Sequence, residues 1–258
     1  MELSLVWMYL GFLLAAYSVV ANDSIQTLGT FLSSNKAYFA WYTLWFAASL
    51  MMVFTITYGW YFYDGDISFG RLTRIPFQEV QWYHAMAPAV LLLLTRVGIP
   101  VSTTFLVLSA FTTFTILEKM LIKSMVGYGV AAISAYLIWV VLERYINEKQ
   151  DHPEHVKFWR VSQWITSGWL WFAWLQHDMA NIAVFLPRKL MMGDLIMVLI
   201  STVLLLGYVF YSGGGKIQEV VISKHGTRFA RSSTIINLVY AFVLFFFKEL
   251  NDLPMSTT

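Results

Sequence analysis

The chain has no cysteine, which excludes disulfides, thiolate metal sites and a cysteine nucleophile. Charge is also scarce: charged residues make up 12% of the sequence, about half of the roughly 25% that is typical of soluble domains. The net charge of +2 is small and the basic residues are dispersed, so no nucleic-acid partner is expected. No nucleophile–base set stands out, and we therefore do not expect an enzyme.

Apolar residues are abundant, at 58% of the chain with a mean hydropathy of +0.62. They fall into segments of about 20 residues, the length that a membrane-spanning helix needs. The sequence therefore predicts an all-α polytopic protein of the plasma membrane, embedded in the lipid bilayer. The first segment lacks a basic leader and a cleavage pattern, which favours a retained span. The uninterrupted spans are predicted at Leu3–Ala21, Ala37–Tyr58, Ser124–Leu142, Phe158–Gln176, Leu190–Tyr211 and Ser232–Phe247.

One apolar segment, Ala85–Leu117, is interrupted by Gly98-Ile99-Pro100-Val101-Ser102-Thr103-Thr104. Gly-x-Pro breaks a helix, and each half of about 13 residues is too short to cross a bilayer, which favours a re-entrant hairpin. Three hydroxyls and free backbone N–H groups at such a break suit a tetrahedral oxyanion. The alternative is an ordinary proline kink in which the hydroxyls bond back to their own helix.

The break has a second copy at the end of the chain, Leu253-Pro254-Met255-Ser256-Thr257-Thr258. Each copy follows an acidic motif at nearly the same distance: 80 positions separate Asn22 from Ser102, and 79 separate His177 from Ser256. The pattern predicts an internal repeat, with residues 1–123 as the first membrane repeat, 124–157 as a connecting span and loop, and 158–258 as the second. If Ala85–Leu117 returns to its own side, the two repeats are inverted, as in many secondary transporters with broken helices.

The acidic motifs, Asn22-Asp23 and His177-Asp178, place carboxylates within or at the edge of predicted spans. Intramembrane carboxylates are costly and are functional candidates by default. Carboxylate and amide oxygens suit a hard cation such as Na⁺, whereas a protonatable aspartate would suit H⁺ coupling. The alternative is an interfacial cap, in which Asn22 or Asp23 ends one helix and starts the next.

These motifs resemble those of the inorganic phosphate transporter (PiT) family. Members carry a Gly-Ala-Asn-Asp-x-Ala-Asn-Ala-type motif and a Gly-Leu-Pro-Val-Ser-Thr-Thr-His-type motif in both halves. The matching stretches here are Val20–Thr30, Gln176–Ile182, Gly98–Thr104 and Leu253–Thr258, and Gly214–Val221 is similar to a further family segment.

The resemblance implies a symporter that couples phosphate to Na⁺ or H⁺ and functions as a homodimer, with sulfate as the alternative substrate. It implies cation ligation near Asn22, Asp23, Asp178 and Asn181. It implies anion contacts from both hydroxyl triplets: Ser102, Thr103, Thr104, Ser256, Thr257 and Thr258.

The chain departs from the family pattern at three positions. Gln26 stands where the family has its second Asn, His177 replaces the first Asn of the second motif, and Phe105 replaces a His. Gln26 is kept as a Na⁺ candidate, and His177 is a candidate for proton coupling or pH gating.

Three further expectations complete the interpretation. The distribution of Lys and Arg places the N-terminus outside the cell. The second hydroxyl triplet has no returning half-helix after it, so we expect a chain truncated at its C-terminus. A non-transporting membrane protein that senses an anion is the rival hypothesis.

Overall fold

The computed structural model describes residues 2–99, 101–146, 156–225 and 230–250, and these residues are helical with no strand among them. The expected all-α fold is confirmed to that extent. The helices are α1 (Glu2–Ser18), a π-helical turn (Val19–Asp23), α2 (Ser24–Asn35), α3 (Trp41–Phe62), α4 (Trp82–Arg96), α5 (Thr103–Leu108), a 3-10 turn (Ser109–Phe111), α6 (Phe114–Ile146), α7 (Val156–Ala183), α8 (Met192–Tyr211), α9 (Gly215–His225) and α10 (Ala230–Leu250).

Three helical segments of the described chain are long and apolar enough to cross a membrane: Leu3–Asn35, Trp41–Phe62 and Met192–Tyr211. A fourth apolar stretch, Ala230–Phe246, is shorter. This is compatible with a membrane protein. The two remaining predicted spans, Ser124–Leu142 and Phe158–Gln176, lie within the long helices α6 and α7. That these helices cross the bilayer stays a prediction.

The first helix does not end at Ala21, as the polar residues after it had suggested. It continues through the π-turn into α2 and ends at Asn35. Most hydroxyls of α2 bond back to their own helix, as Thr27 does to the Asp23 carbonyl at 2.8 Å and Ser34 to the Thr30 carbonyl at 2.7 Å. Since these groups are satisfied locally, the helix needs no water along this stretch. The alternative of an interfacial cap at Asn22-Asp23 is therefore wrong.

The interrupted segment folds as a hairpin. Helix α4 ends at a left-handed glycine, Gly98, with φ +82°. The chain then reverses through α5, and the 3-10 turn brings Phe111 back to the start of α4. There the Phe111 ring stacks on His84 with ring centroids 4.2 Å apart. The Gln78 side-chain amide also donates to the Phe111 carbonyl at 3.2 Å.

The returning arm of this hairpin is shorter than predicted. The sequence suggested an apolar half-helix as far as Leu117, but a new helix, α6, begins at Phe114. No Gly or Pro interrupts residues 114–124, so nothing stops α6 from continuing through Lys119 and Lys123. The boundary drawn between residues 123 and 124 consequently lies inside one helix.

The helices pack in two similar pairs, α1 with α4 and α7 with α10. Helix α3 lies against both α7 and α8, and α2 lies against α9. Two indole N–H groups join α3 to these neighbours: Trp45 of α3 donates to the Val203 carbonyl of α8 at 3.0 Å, and Trp171 of α7 donates to the Ala48 carbonyl of α3 at 3.1 Å. In each predicted repeat, the first helix packs against a later helix of that repeat, as we would expect of two related repeats. The repeat itself stays a prediction.

Candidate cation and oxyanion site

The acidic motif of the first helix meets the helix break of the hairpin. The Asn22 side-chain amide donates to the Asp23 Oδ1 at 2.6 Å and to the Val101 carbonyl at 2.8 Å. The Thr103 hydroxyl donates to the same Asp23 oxygen at 3.0 Å. Asp23 and Thr103 are each only 1% exposed. The two motifs, 80 positions apart in the sequence, therefore form one buried polar cluster.

The π-helical turn Val19–Asp23 carries Asn22 and Asp23 at its end. A π-turn widens the helix locally by one residue and shifts the side chains that follow it, and such turns are frequent at functional sites. Here the turn carries two polar side chains that both reach the hairpin. The first helix is thus irregular at the position that contacts the break.

The acidic motif of α7 reaches the same region. The Asn181 side-chain amide donates to the Thr104 hydroxyl at 3.2 Å. The carboxyl groups of Asp178 and Asp23 lie close enough to repel each other electrostatically. Asn181 and Asp178 are 0% and 1% exposed. Side chains from α7, the π-turn and α5 thus converge on one region.

Two buried oxygens of this cluster have no hydrogen-bond partner among the described residues, Oδ2 of Asp23 and Oδ1 of Asn181. Leaving a buried acceptor without a donor is costly, and two buried carboxylates repel each other. A hard cation bound between oxygens would relieve both costs, and so would a proton on one carboxyl. The cluster therefore fits the chemistry of Na⁺ or H⁺. A site built from three or more His, Asp or Glu side chains does not occur in the described ranges.

Two predicted site residues have supporting contacts. Ser102 is half-buried and caps α5, since its hydroxyl accepts from the Phe105 N–H at 3.3 Å. The Gln26 amide donates to the Asn22 Oδ1 at 3.1 Å. Ser102 holds the start of α5, and Gln26 orients Asn22. The remaining predicted anion ligands, Ser256, Thr257 and Thr258, lie outside the described residues, as does Pro100.

His177 is buried beside a cation. Its Nε2 lies 3.4 Å from Nη2 of Arg71 and 3.3 Å from the Leu244 carbonyl oxygen. Because neighbouring residues of a helix point in different directions, His177 faces α10 and Arg71, whereas Asp178 faces Asp23. The role of His177 in pH gating stays a prediction.

Arg71 is a site residue that the sequence analysis missed. It lies in the loop between α3 and α4, is only 2% exposed, and its Nε donates to the Gln176 carbonyl at 2.7 Å. The only available signal was the apolar residues around it, Ile67, Phe69 and Leu72, which are also buried. This guanidinium supplies a buried positive charge next to the α7 motif.

A polar stripe along α2 was also missed. Asp23, Thr27, Thr30 and Ser34 recur at helical spacing and are all buried. The Thr30 hydroxyl donates to Asn237 of α10 at 3.1 Å. The Asn35 amide donates to Gln163 of α7 at 2.9 Å. The signal that would have found this stripe is the period of its polar residues, which matches one face of a helix.

Comparison with protein-family models, curated proteins and solved structures finds no match to this chain. The resemblance to the phosphate transporter family consequently stays a prediction based on the quoted motifs.

Proposed function

We propose that this protein is a secondary transporter that moves a phosphate-type oxyanion together with a cation. The observation that carries the proposal is the buried cluster in which Asp23 and Asn22 meet Thr103 at the helix break, with Asp178 and Asn181 arriving from α7. The contacts of Asn22, Asp23 and Asn181 support cation binding at this site. The hydroxyls of Ser102, Thr103 and Thr104 at the start of α5 would contact the anion.

Coupling follows from the charges of the site. An oxyanion next to two carboxylates would be repelled, and a cation bound at Asp23 and Asn181 removes that repulsion. Each solute therefore binds better when the other is present, which is the thermodynamic condition for symport. Sodium is the first choice because its preferred ligands are oxygens, and a proton on Asp23 or Asp178 is the alternative.

Broken helices and packed pairs of helices suit a mechanism of alternating access. In the proposed cycle, the pair formed by α1 and α4 and the pair formed by α7 and α10 belong to two inverted repeats. These repeats move against each other around the cluster. Both sides of the membrane would then reach the same site in turn. Helix-end breaks at corresponding positions of two repeats are typical of such transporters.

Uptake of labelled phosphate into proteoliposomes tests the proposal. We expect uptake by the full chain that exceeds that of empty vesicles and that unlabelled phosphate inhibits. Stronger inhibition by sulfate than by phosphate would identify a sulfate permease. Saturable anion binding without uptake would favour the rival hypothesis of a non-transporting sensor, and an absence of both would refute the proposal.

A further inference from the structure

A cavity lies beside the hairpin and is separate from the buried cluster. Its volume is about 350 Å³, enough for a tetrahedral anion and several waters at about 30 Å³ each. Its walls come from α1, α4, the end of α8 and the start of α9. It adjoins the tip of the hairpin, because a Cβ on Gly98 would lie 3.6 Å from the Lys216 side chain.

Every charged residue that lines this cavity is a cation. Arg96 comes from the last turn of α4 and Lys216 from the first turn of α9. Neither side chain forms an ion pair within the part of the chain that the structure describes, where the salt bridge is Lys189 with Asp64. Both side chains are exposed, and two unpaired cations on neighbouring elements attract an anion that enters between them.

Neutral donors complete the lining. Tyr17 and Tyr208 line the same cavity and carry hydroxyl donors, whereas the Thr95 and Ser212 hydroxyls donate to the Leu91 and Val209 carbonyls of their own helices. Three consecutive glycines, Gly213–Gly215, adopt positive φ between +59° and +81° and lead into α9. The start of α9 adds a partial positive charge to this side of the cavity. Guanidinium, ammonium and hydroxyl donors together are the set that recognises phosphate.

We propose that this cavity binds a phosphate group between Arg96 and Lys216. The group is inorganic phosphate or the head group of an anionic lipid, since both present the same tetrahedral anion. The site is independent of Asp23 and does not require transport. If the proposed transport also holds, an anion bound in this cavity would lie next to the hairpin tip.

The lack of cysteine permits a local test. We would place a single cysteine at the cavity wall, Ser212→Cys, and measure its rate of reaction with N-ethylmaleimide, a neutral reagent. The matched control is Ser223→Cys, an exposed serine of α9 that is outside the cavity lining. The full chain is kept in a maltoside detergent, which contains no phosphate.

We expect saturating inorganic phosphate, or added phosphatidylglycerol, to slow labelling at position 212 at least fivefold and to leave position 223 unchanged. Adding Lys216→Gln or Arg96→Gln should abolish the protection, whereas Lys216→Arg, which keeps the positive charge, should retain it.

Protection by phosphatidylglycerol alone assigns the site to a lipid, and protection by phosphate alone assigns it to the free ion. Equal rates with and without both ligands, in protein that elutes as a folded species, would overturn the proposal. Protection that survives both glutamine substitutions would overturn it as well.

Discussion

At the scale of single residues, the Thr103 hydroxyl differs from most other buried hydroxyls described for this chain, because it donates to a carboxylate. Most of these hydroxyls bond to a carbonyl of their own helix, as Thr202 does to Val198 at 2.8 Å. Thr103 instead donates across the fold to the carboxylate of Asp23. Its role is therefore tied to the cluster and not to its own helix.

Thr103→Val should raise the KM for phosphate uptake about tenfold and leave the amount of folded protein unchanged. Valine keeps the shape but loses the donor, and a hydrogen bond to a charged group contributes about 1.5–3 kcal/mol. Uptake kinetics in proteoliposomes measure this. The control is Thr202→Val, whose hydroxyl makes only local bonds in α8. An equal effect of both substitutions would show that Thr103 has no special role.

Arg71→Gln should lower the free energy of unfolding by about 2 kcal/mol or more, because it removes a buried charge-assisted bond to the Gln176 carbonyl. Thermal unfolding in detergent, followed by tryptophan fluorescence, measures the change. Arg74→Gln is the control, since Arg74 is exposed in the same loop. A melting temperature that is no lower than that of Arg74→Gln would contradict the burial of Arg71.

At the scale of elements, the contact between α2 and α9 depends on a glycine. A Cβ on Gly29 would lie 2.6 Å from Val221 Cγ1 and 3.1 Å from the Gln218 Oε1. The Gln218 amide also donates to the Gly29 carbonyl at 2.9 Å. The two helices are therefore as close as their backbones and side chains allow.

Gly29→Ala should destabilise the fold by about 1–3 kcal/mol, the usual cost of overpacking a tight contact. A control for the helix propensity of alanine is Gly193→Ala in α8, where a Cβ meets nothing within 4 Å. Thermal unfolding of the two variants separates packing from propensity. If Gly29→Ala were as stable as Gly193→Ala, the close approach of α2 and α9 would be wrong.

The elements also show what could be predicted from the sequence. The hairpin was predictable because Gly98 and Pro100, two positions apart, interrupt the apolar run together, whereas a single proline such as Pro88 is accommodated inside α4. The continuation of the first helix through Asn22 to Asn35 was not predictable, because Ser, Thr and Asn occur both in loops and on buried polar faces of helices. Only their partners on α7 and α10 distinguish the two cases. Arg71 was missed for a similar reason, since the apolar residues beside it indicate burial of the loop but do not identify α7 as the helix that it contacts.

At the scale of the whole molecule, the hairpin determines which loops share a side of the membrane. If residues 82–111 form a re-entrant hairpin, Thr73 before it and Thr113 after it lie on the same side. Tyr38, which precedes α3, then lies on the opposite side. These three residues are exposed, and the absence of native cysteine makes single-cysteine labelling unambiguous.

A membrane-impermeant maleimide applied to intact cells should label Thr73→Cys and Thr113→Cys alike and should not label Tyr38→Cys until the cells are opened. This pattern follows from an external N-terminus and a hairpin that does not cross. Labelling of Thr73→Cys and Thr113→Cys from opposite sides would show that the segment crosses the bilayer, and the repeats would then be parallel. Labelling of Tyr38→Cys in intact cells would reverse the orientation.

The central claim is that the cluster around Asp23 couples a cation to an oxyanion. The measurement that tests it most directly is the initial rate of labelled phosphate uptake with an inward Na⁺ gradient, an inward H⁺ gradient or no gradient. It compares the unmodified chain with Asp23→Asn and with Asp64→Asn, whose carboxylate is 85% exposed. We predict that one cation gradient accelerates uptake by the unmodified chain and by Asp64→Asn at least tenfold, and that Asp23→Asn loses this acceleration. Gradient-driven uptake that persists in Asp23→Asn would contradict the account.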